Sequence, residues 1–408
     1  MESIISSHRF LGTVQRTLKK TIGSMPRVSQ REKLVIIPLL ALSSLFCAGP
    51  VDNLGDGDFP VQGPKALVVL SDYQTGSYSL VDLDTFKTKN LVQVIHQDAV
   101  CKYDPITRRM FIVERLGADA VALVSETGGW GIEKEYSIAP PPGANPQDIA
   151  IVSRDKAYVP LYQAPLMVVV NPLNGERIGT IDLSEYADDD GLPEAAWALY
   201  VNGLVFVVLQ RLDSRNSFEP TDYSMVVVID PKVDRIIKEI RLSATNPFGK
   251  PRYSDAMGGI VIGEAGRFGV LDGGIEVVDV HSLEAGGLIV TEQAMGGDLV
   301  DAVIATPDKG YAVIGEPRGQ GVSSTKVVSF NPATGKQTDV LDQANTWKHS
   351  FLELEPGGSR LWITERGRTE QGIRIFDTSS DCEITAKPID LGLDPFMLCF
   401  FQKAGAQQ

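Results

Sequence analysis

An ionisable residue returns at near-regular intervals along this chain: Asp98, Asp148, Glu194, Asp255, Asp301, His349 and Asp394. Successive members stand 50, 46, 61, 46, 48 and 45 residues apart. Groups of one sign brought to a common point focus their field and concentrate cations, so such a set suits a metal ion, a polyamine or a basic side chain. The same carboxylates can instead cap their own loops by accepting backbone N–H groups, and repetition alone would then explain them. A working site has to break the repetition. His349, with Trp347 and Lys348 beside it, is the one slot without a carboxylate. Whether any metal is held, and which, stays open at this level.

The elements that position these residues are short apolar runs rich in β-branched residues and separated by Gly, Pro, Asn and Asp, which read as strands and turns. Each acidic residue opens a unit that continues with a second strand and then a third. Second strands are read at 110–115, 156–162, 204–211, 267–273, 309–315 and 360–366. Third strands follow at 120–126, 166–172, 225–231, 274–280, 326–332 and 372–378. A period of about 40–50 residues with four strands per unit is that of a propeller blade. The first unit, from ALVVLSD at 66–72, has three strands only, and PFMLCFF at 395–401 supplies the missing innermost one. The expected fold is therefore all-β: a seven-bladed β-propeller over residues 65–402, closed by a C-terminal strand that completes the first blade, with 403–408 as a tail. Closure in this way buries two sheet edges.

The stretches NPQDIAIVSRDKAYVPLY, LMVVVNPLNGERIGTIDL, TPDKGYAVIG and KVVSFNPATGK resemble the YVTN-type repeats of bacterial seven-bladed propellers over roughly residues 65–401. The YVTN tetrapeptide itself is replaced by YVPL, FVVL and YAVI. The resemblance implies the fold and leaves the task open, because such propellers serve very different ends.

Antiparallel order puts the start of each innermost strand and the end of each second strand on one face. A funnel is expected there, negative at its centre from Asp98, Asp148, Glu194, Asp255, Asp301 and Asp394, with His349 among them and Arg115, Arg211 and Arg366 on the rim. Related propellers that act as calcium-dependent lactonases or esterases hold the ion with Glu, Asn and Asp from several blades, and no Asn is read at the equivalent starts here. The connection SEYADDDGLP gathers Glu185, Asp188, Asp189 and Asp190, and reads as a solvated acidic loop or a calcium loop. The longest other connections, 212–224 and 243–254, carry Phe218, Tyr223, Phe248, Lys250, Arg252 and Tyr253, residues suited to partner contact on a rigid scaffold.

Residues 1–47 read as an export signal. Seven Lys/Arg precede an apolar run from Leu34 to Phe46, and Leu-Phe-Cys at its end resembles a lipoprotein cleavage site with Cys47 as the lipidated residue, although Phe46 is larger than that pattern wants. Residues 48–64, rich in Gly, Pro and Asp, read as a flexible tether. Residues 1–46 hold seven Lys/Arg and two Asp/Glu, so from totals of 38 and 52 the remainder carries 31 and 50, a net charge of −19. That sign disfavours nucleic acid and anionic lipid surfaces, leaving the lipid as the only membrane contact, and favours a basic or cationic companion. Four histidines, no GxSxG, no HExxH and no CxxC argue against a haem or copper centre, a serine hydrolase or a zinc site. Cys101 and Cys399 lie in apolar runs, where cysteine packs as a small hydrophobe. The reading that results is a non-catalytic binding or scaffold module of the bacterial envelope, periplasmic or on the outer membrane, with an envelope protein partner. A calcium-dependent hydrolase working in the acidic funnel is the alternative.

Overall fold

Strands such as Met225–Asp230 and Leu204–Leu209 are buried along almost their whole length, as expected where a sheet is packed on both faces. In the computed structural model, which describes residues 59–401 apart from 140, 318–321 and 368–369, these strands form seven antiparallel blades around a central channel. The export segment with Cys47, most of the tether and the tail lie outside the described residues.

Blade 1 consists of Pro395–Phe401, Lys65–Ser71, Gly76–Asp82 and Thr88–Ile95, from the channel outward. The expected closure is therefore present. Lys65 pairs with Phe401, Leu67 with Cys399 and Val69 with Met397. Alternation along the closing strand then seals both seams, because successive side chains point to opposite faces. Phe400 packs edge-on against Trp362 of blade 7 (5.3 Å, 83°), and Phe401 against Trp130 of blade 2 (5.0 Å, 90°). Each such pair is worth roughly 0.5–1.5 kcal/mol beyond the area it buries.

Blades 2 to 6 begin with the inner strands Ala99–Asp104, Ala150–Ser153, Ala195–Val201, Arg252–Ser254 and Asp298–Thr306, and each has four strands. Blade 7 has three, His349–Leu354, Arg360–Glu365 and Gly372–Asp377. Its outer edge is closed by bridges from Ile373 to Ile389 and from Phe376 to Glu383, so the edge groups still find partners.

Two expectations need correction. The second strand of blade 5 is Gly259–Glu264, and residues 267–273 form a loop. The strand was hidden because it opens on glycine at a crowded crossing. A Cβ on Gly259 would lie 2.6 Å from the carbonyl oxygen of Val278. The last part of the tether is also not free chain. The Val61 carbonyl accepts the Trp130 indole N–H at 2.7 Å, and Gly63 N–H donates to Glu126 at 3.1 Å.

Candidate functional site

The channel is filled by charges that answer one another. Lys102 of blade 2 donates to Asp148 of blade 3 at 2.8 Å and to the carbonyl of Ala198 in blade 4 at 2.7 Å, while the Ala198 N–H donates to Asp148 at 3.1 Å. Three blades on, the arrangement repeats. Arg252 of blade 5 donates to Asp301 of blade 6 at 2.8 and 3.0 Å and to the carbonyl of Leu352 in blade 7, whose N–H donates to Asp301 at 2.9 Å. In each triad a cation, a carboxylate and a peptide edge from three consecutive blades close on themselves. Glu353 adds bonds to Lys250 at 2.8 Å and Arg252 at 3.1 Å.

Three cations thus face three carboxylates, and the centre is balanced where it was expected to be negative. Burial disfavours the charge on Glu353, yet Arg252 and Lys250 hold its carboxyl below the usual range. Burial likewise works against the Arg252 charge, and Asp301 with Glu353 outweighs it.

The evenly spaced acidic residues do not form one ring. In six blades, an N–H at or just past the end of the second strand donates to the carbonyl of a residue on the approach to the inner strand, and those residues are Asp98, Asn145, Glu194, Asn246, Lys348 and Asp394. Asn145 and Asn246 therefore occupy the equivalent starts, where no asparagine was expected. Asp148 and Asp301 lie deeper in the channel. Asp255 is at neither level: it is an exposed residue in the turn after Arg252–Ser254, on the opposite face. The 61-residue gap before it was the sign of a position misplaced within a correctly counted ring.

The rim arginines hold loops and seams together. Arg115 pairs with Asp98 through Nε at 2.8 Å and reaches Gln147 of the next blade at 2.8 Å. Arg366 donates to the carbonyl of Ser71 at 2.8 Å, stands 3.8 Å from Asp394 and lies over the Tyr73 ring. Arg211 donates to the carbonyls of Tyr186 and Tyr223.

His349 does break the symmetry. It is fully buried between blades 6 and 7, with Nε2 3.0 Å from Asp342 and 3.6 Å from Glu365, and Nδ1 3.0 Å from Thr325 Oγ1. Asp342, His349 and Glu365 place one ligand atom each within 4.8 Å of the others, a spacing that suits a metal ion. Other partners already use these carboxylates, however. Arg374 stands 2.8 Å from one oxygen of Glu365 and 2.7 Å from Glu383, and Lys348 stands 3.0 Å from the other oxygen of Glu365. With His349 protonated, three cations meet three carboxylates, and a divalent ion would have to displace two of them. Burial works against a charge on His349, but Asp342 and Glu365 prevail and raise its pKa.

On the face where the inner strands begin, exposed apolar and aromatic side chains lie on the loops over blades 4 and 5, and singly at Tyr73 and Leu116 over blades 1 and 2. The acidic loop is not loosely solvated: Asp190 accepts the N–H of Ser214 at 2.8 Å and so fastens it to the hairpin Leu212–Asp213/Glu219–Pro220. Arg267 ties that hairpin to the loop after Gly259–Glu264 through Glu219, at 2.7 Å. On this platform Tyr223 lies between the guanidinium groups of Arg211 and Arg241, at 4.2 and 4.5 Å. Phe248 meets Phe268 edge-on at 5.4 Å and remains 42% exposed, with Val270 at 44% nearby in sequence. Of the six residues expected to meet a partner, Lys250 and Arg252 belong to the channel network, and Tyr253 is on an inner strand. Phe218, Tyr223 and Phe248 are on the loops. Glu194 lies beneath them, wholly buried, with Oε2 accepting the Leu212 N–H at 3.0 Å and Oε1 without a partner. Burial, reinforced by Asp190 and Asp188, pushes its pKa up to about 9.

No family model matches the chain, and no curated protein does. Solved propellers do. The hydrazine synthase of Kuenenia stuttgartiensis superimposes with a TM-score of 0.54 at 15% identity, over 70% of this chain and 79% of that one. The dihydro-heme d1 dehydrogenase NirN gives 0.52 at 15% identity, over 82% and 74%, and the Dos1 propeller 0.51 at 10% identity, over 85% and 86%. At these identities the likeness establishes the fold alone.

Proposed function

We propose that this chain is an exported, non-catalytic binding module of the bacterial cell envelope, anchored through lipid on Cys47, whose protein partner docks on the loops over blades 4 and 5. The observation that carries this reading is the contrast between the channel and those loops. In the channel, the carboxylates that a calcium-dependent hydrolase would need are engaged by Lys102, Lys250 and Arg252. Over blades 4 and 5, aromatic and apolar side chains are held in place and left exposed, the composition from which interfaces draw their binding energy. The YVTN-like repeats and the basic, apolar N-terminus support the envelope assignment.

A photo-crosslinking residue at Phe248, compared with one at Val233 in a turn of the opposite face (58% exposed), tests the docking surface in cells that produce the protein. One discrete adduct from position 248 alone is expected. No adduct there, together with ester hydrolysis that stops on calcium removal, would establish the hydrolase instead. Mass spectrometry of the mature N-terminus decides the anchor separately.

A further inference from the structure

The two ion triads tie blades 2 to 4 and blades 5 to 7, and neither reaches blade 1. At one of the seams they leave unbridged, between blades 1 and 2, two cysteines lie on neighbouring inner strands. Cys101 lies on the inner strand of blade 2, immediately before Lys102, and Cys399 on the closing strand of blade 1. The Cys101 thiol is 3.7 Å from the carbonyl oxygen of Leu67, the residue directly opposite Cys399 in the strand pairing. Burial raises the Cys101 thiol above its ordinary pKa, and Cys399 nearby adds to the rise. Both are reduced and buried, 3% and 5% exposed.

We propose that Cys101 and Cys399 form a disulfide that closes the propeller ring covalently. The oxidant is a small organic disulfide. One cysteine thiolate attacks it, releases one thiol and forms a mixed disulfide; the second cysteine thiolate then displaces the other half as a second thiol. The protein gives up two protons and two electrons, and the S–S bond of the oxidant is reduced. Burial holds the Cys101 thiol well above its ordinary pKa, so exchange proceeds during folding or when the closing strand lifts, not in the sealed ring. The bond encloses the chain from 101 to 399. A loop of that length strongly restricts the unfolded state, which predicts a rise in thermal midpoint on the order of 5–10 °C. This proposal stands on the geometry of the seam and does not depend on the envelope reading.

The test is to refold the full chain in mixtures of oxidised and reduced glutathione, quench with acid, alkylate the remaining thiols and map peptides without reduction. The expected result is a linked peptide pair containing Cys101 and Cys399, and a higher thermal midpoint that reductant reverses. In Cys399→Ser or Cys101→Ala, whichever folds, reductant lowers the midpoint by about 5–10 °C less than in the wild type, the remainder coming from the disulfide of Cys382. Finding both cysteines alkylated after refolding, or linked to Cys47 or Cys382 instead, overturns the proposal. The wild-type peptide map decides this even if neither variant folds.

Discussion

Asp301 takes two nitrogens of the Arg252 guanidinium, at 2.8 and 3.0 Å, across the contact between blades 5 and 6. The same carboxylate receives the Leu352 N–H, so one residue joins three blades at the channel. Its counterpart Asp148 joins Lys102 to Ala198 in the same way. The channel is a fastening of the ring before it is anything else.

Removing Arg252 should therefore leave Asp301 as an uncompensated charge in the channel and Glu353 with Lys250 alone. Arg252→Met is expected to cost about 3–5 kcal/mol in urea unfolding. Arg267→Met, which breaks an exposed pair with Glu219, should stay within about 0.5 kcal/mol. Equal effects from the two would show that the channel network does not hold the blades.

Truncation after Asp394 removes the closing strand, leaves the edge of Lys65–Ser71 unpaired and opens the contacts with Trp130 and Trp362. The product should be insoluble, or soluble without fixed tertiary packing, as near-ultraviolet circular dichroism reads it. Phe401→Ala, which deletes the contact with Trp130, should cost about 3–5 kcal/mol. A truncated chain that melts like the intact one would contradict the role of this strand.

Glu194 binds its proton in the folded state with a pKa of about 9, against an ordinary 4.5. The folded state thus holds a proton that the unfolded state releases, and the stability tied to it is complete below about pH 4.5 and lost as pH climbs toward 9. Glu194→Gln should flatten this slope and make the protein more stable at pH 8, by on the order of 2 kcal/mol. Denaturant midpoints measured from pH 5 to 9 check it. Parallel curves for the two proteins would mean that Glu194 is ionised throughout.

His349 should titrate above its ordinary 6.5, seen as one imidazole resonance that shifts late and vanishes in His349→Gln. The stability that its proton contributes is present below pH 6.5 and fades as pH rises through the raised value. Thr325 Oγ1 accepts the N–H groups of Lys348 and His349 at 3.1 and 3.0 Å. Thr325→Val leaves those donors unpaired and should cost about 1–3 kcal/mol. An imidazole that titrates at or below 6.5 would show that burial outweighs Asp342 and Glu365.

Local chemistry accounts for how far each residue could be read in advance. The closing strand was legible because a unit with three strands and a stray apolar run at the other end leave one solution. Asp98 with Arg115 was legible too, since strand alternation puts the two side by side. Asp255 was not, because the long connection 242–251 shifts the position of the inner strand and glycine hides the strand Gly259–Glu264. Lys102 and Glu353 carried no signal at all, and Lys250 and Arg252 were read as partner contacts. Their partners come from one or two blades away, and nothing in a linear spacing records which residues meet across a channel.

The amino-acid order by itself determined seven radial sheets and their mode of closure, because strand period, turn residues and an unfinished first unit are local properties that sum to one topology. Whether the acidic residues make a site was decided only in three dimensions. The charge of the channel depends on which cations the ring carries inward, and that is set by packing between blades, which placed Lys102, Lys250 and Arg252 against the carboxylates and left the aromatic loops of blades 4 and 5 facing the solvent.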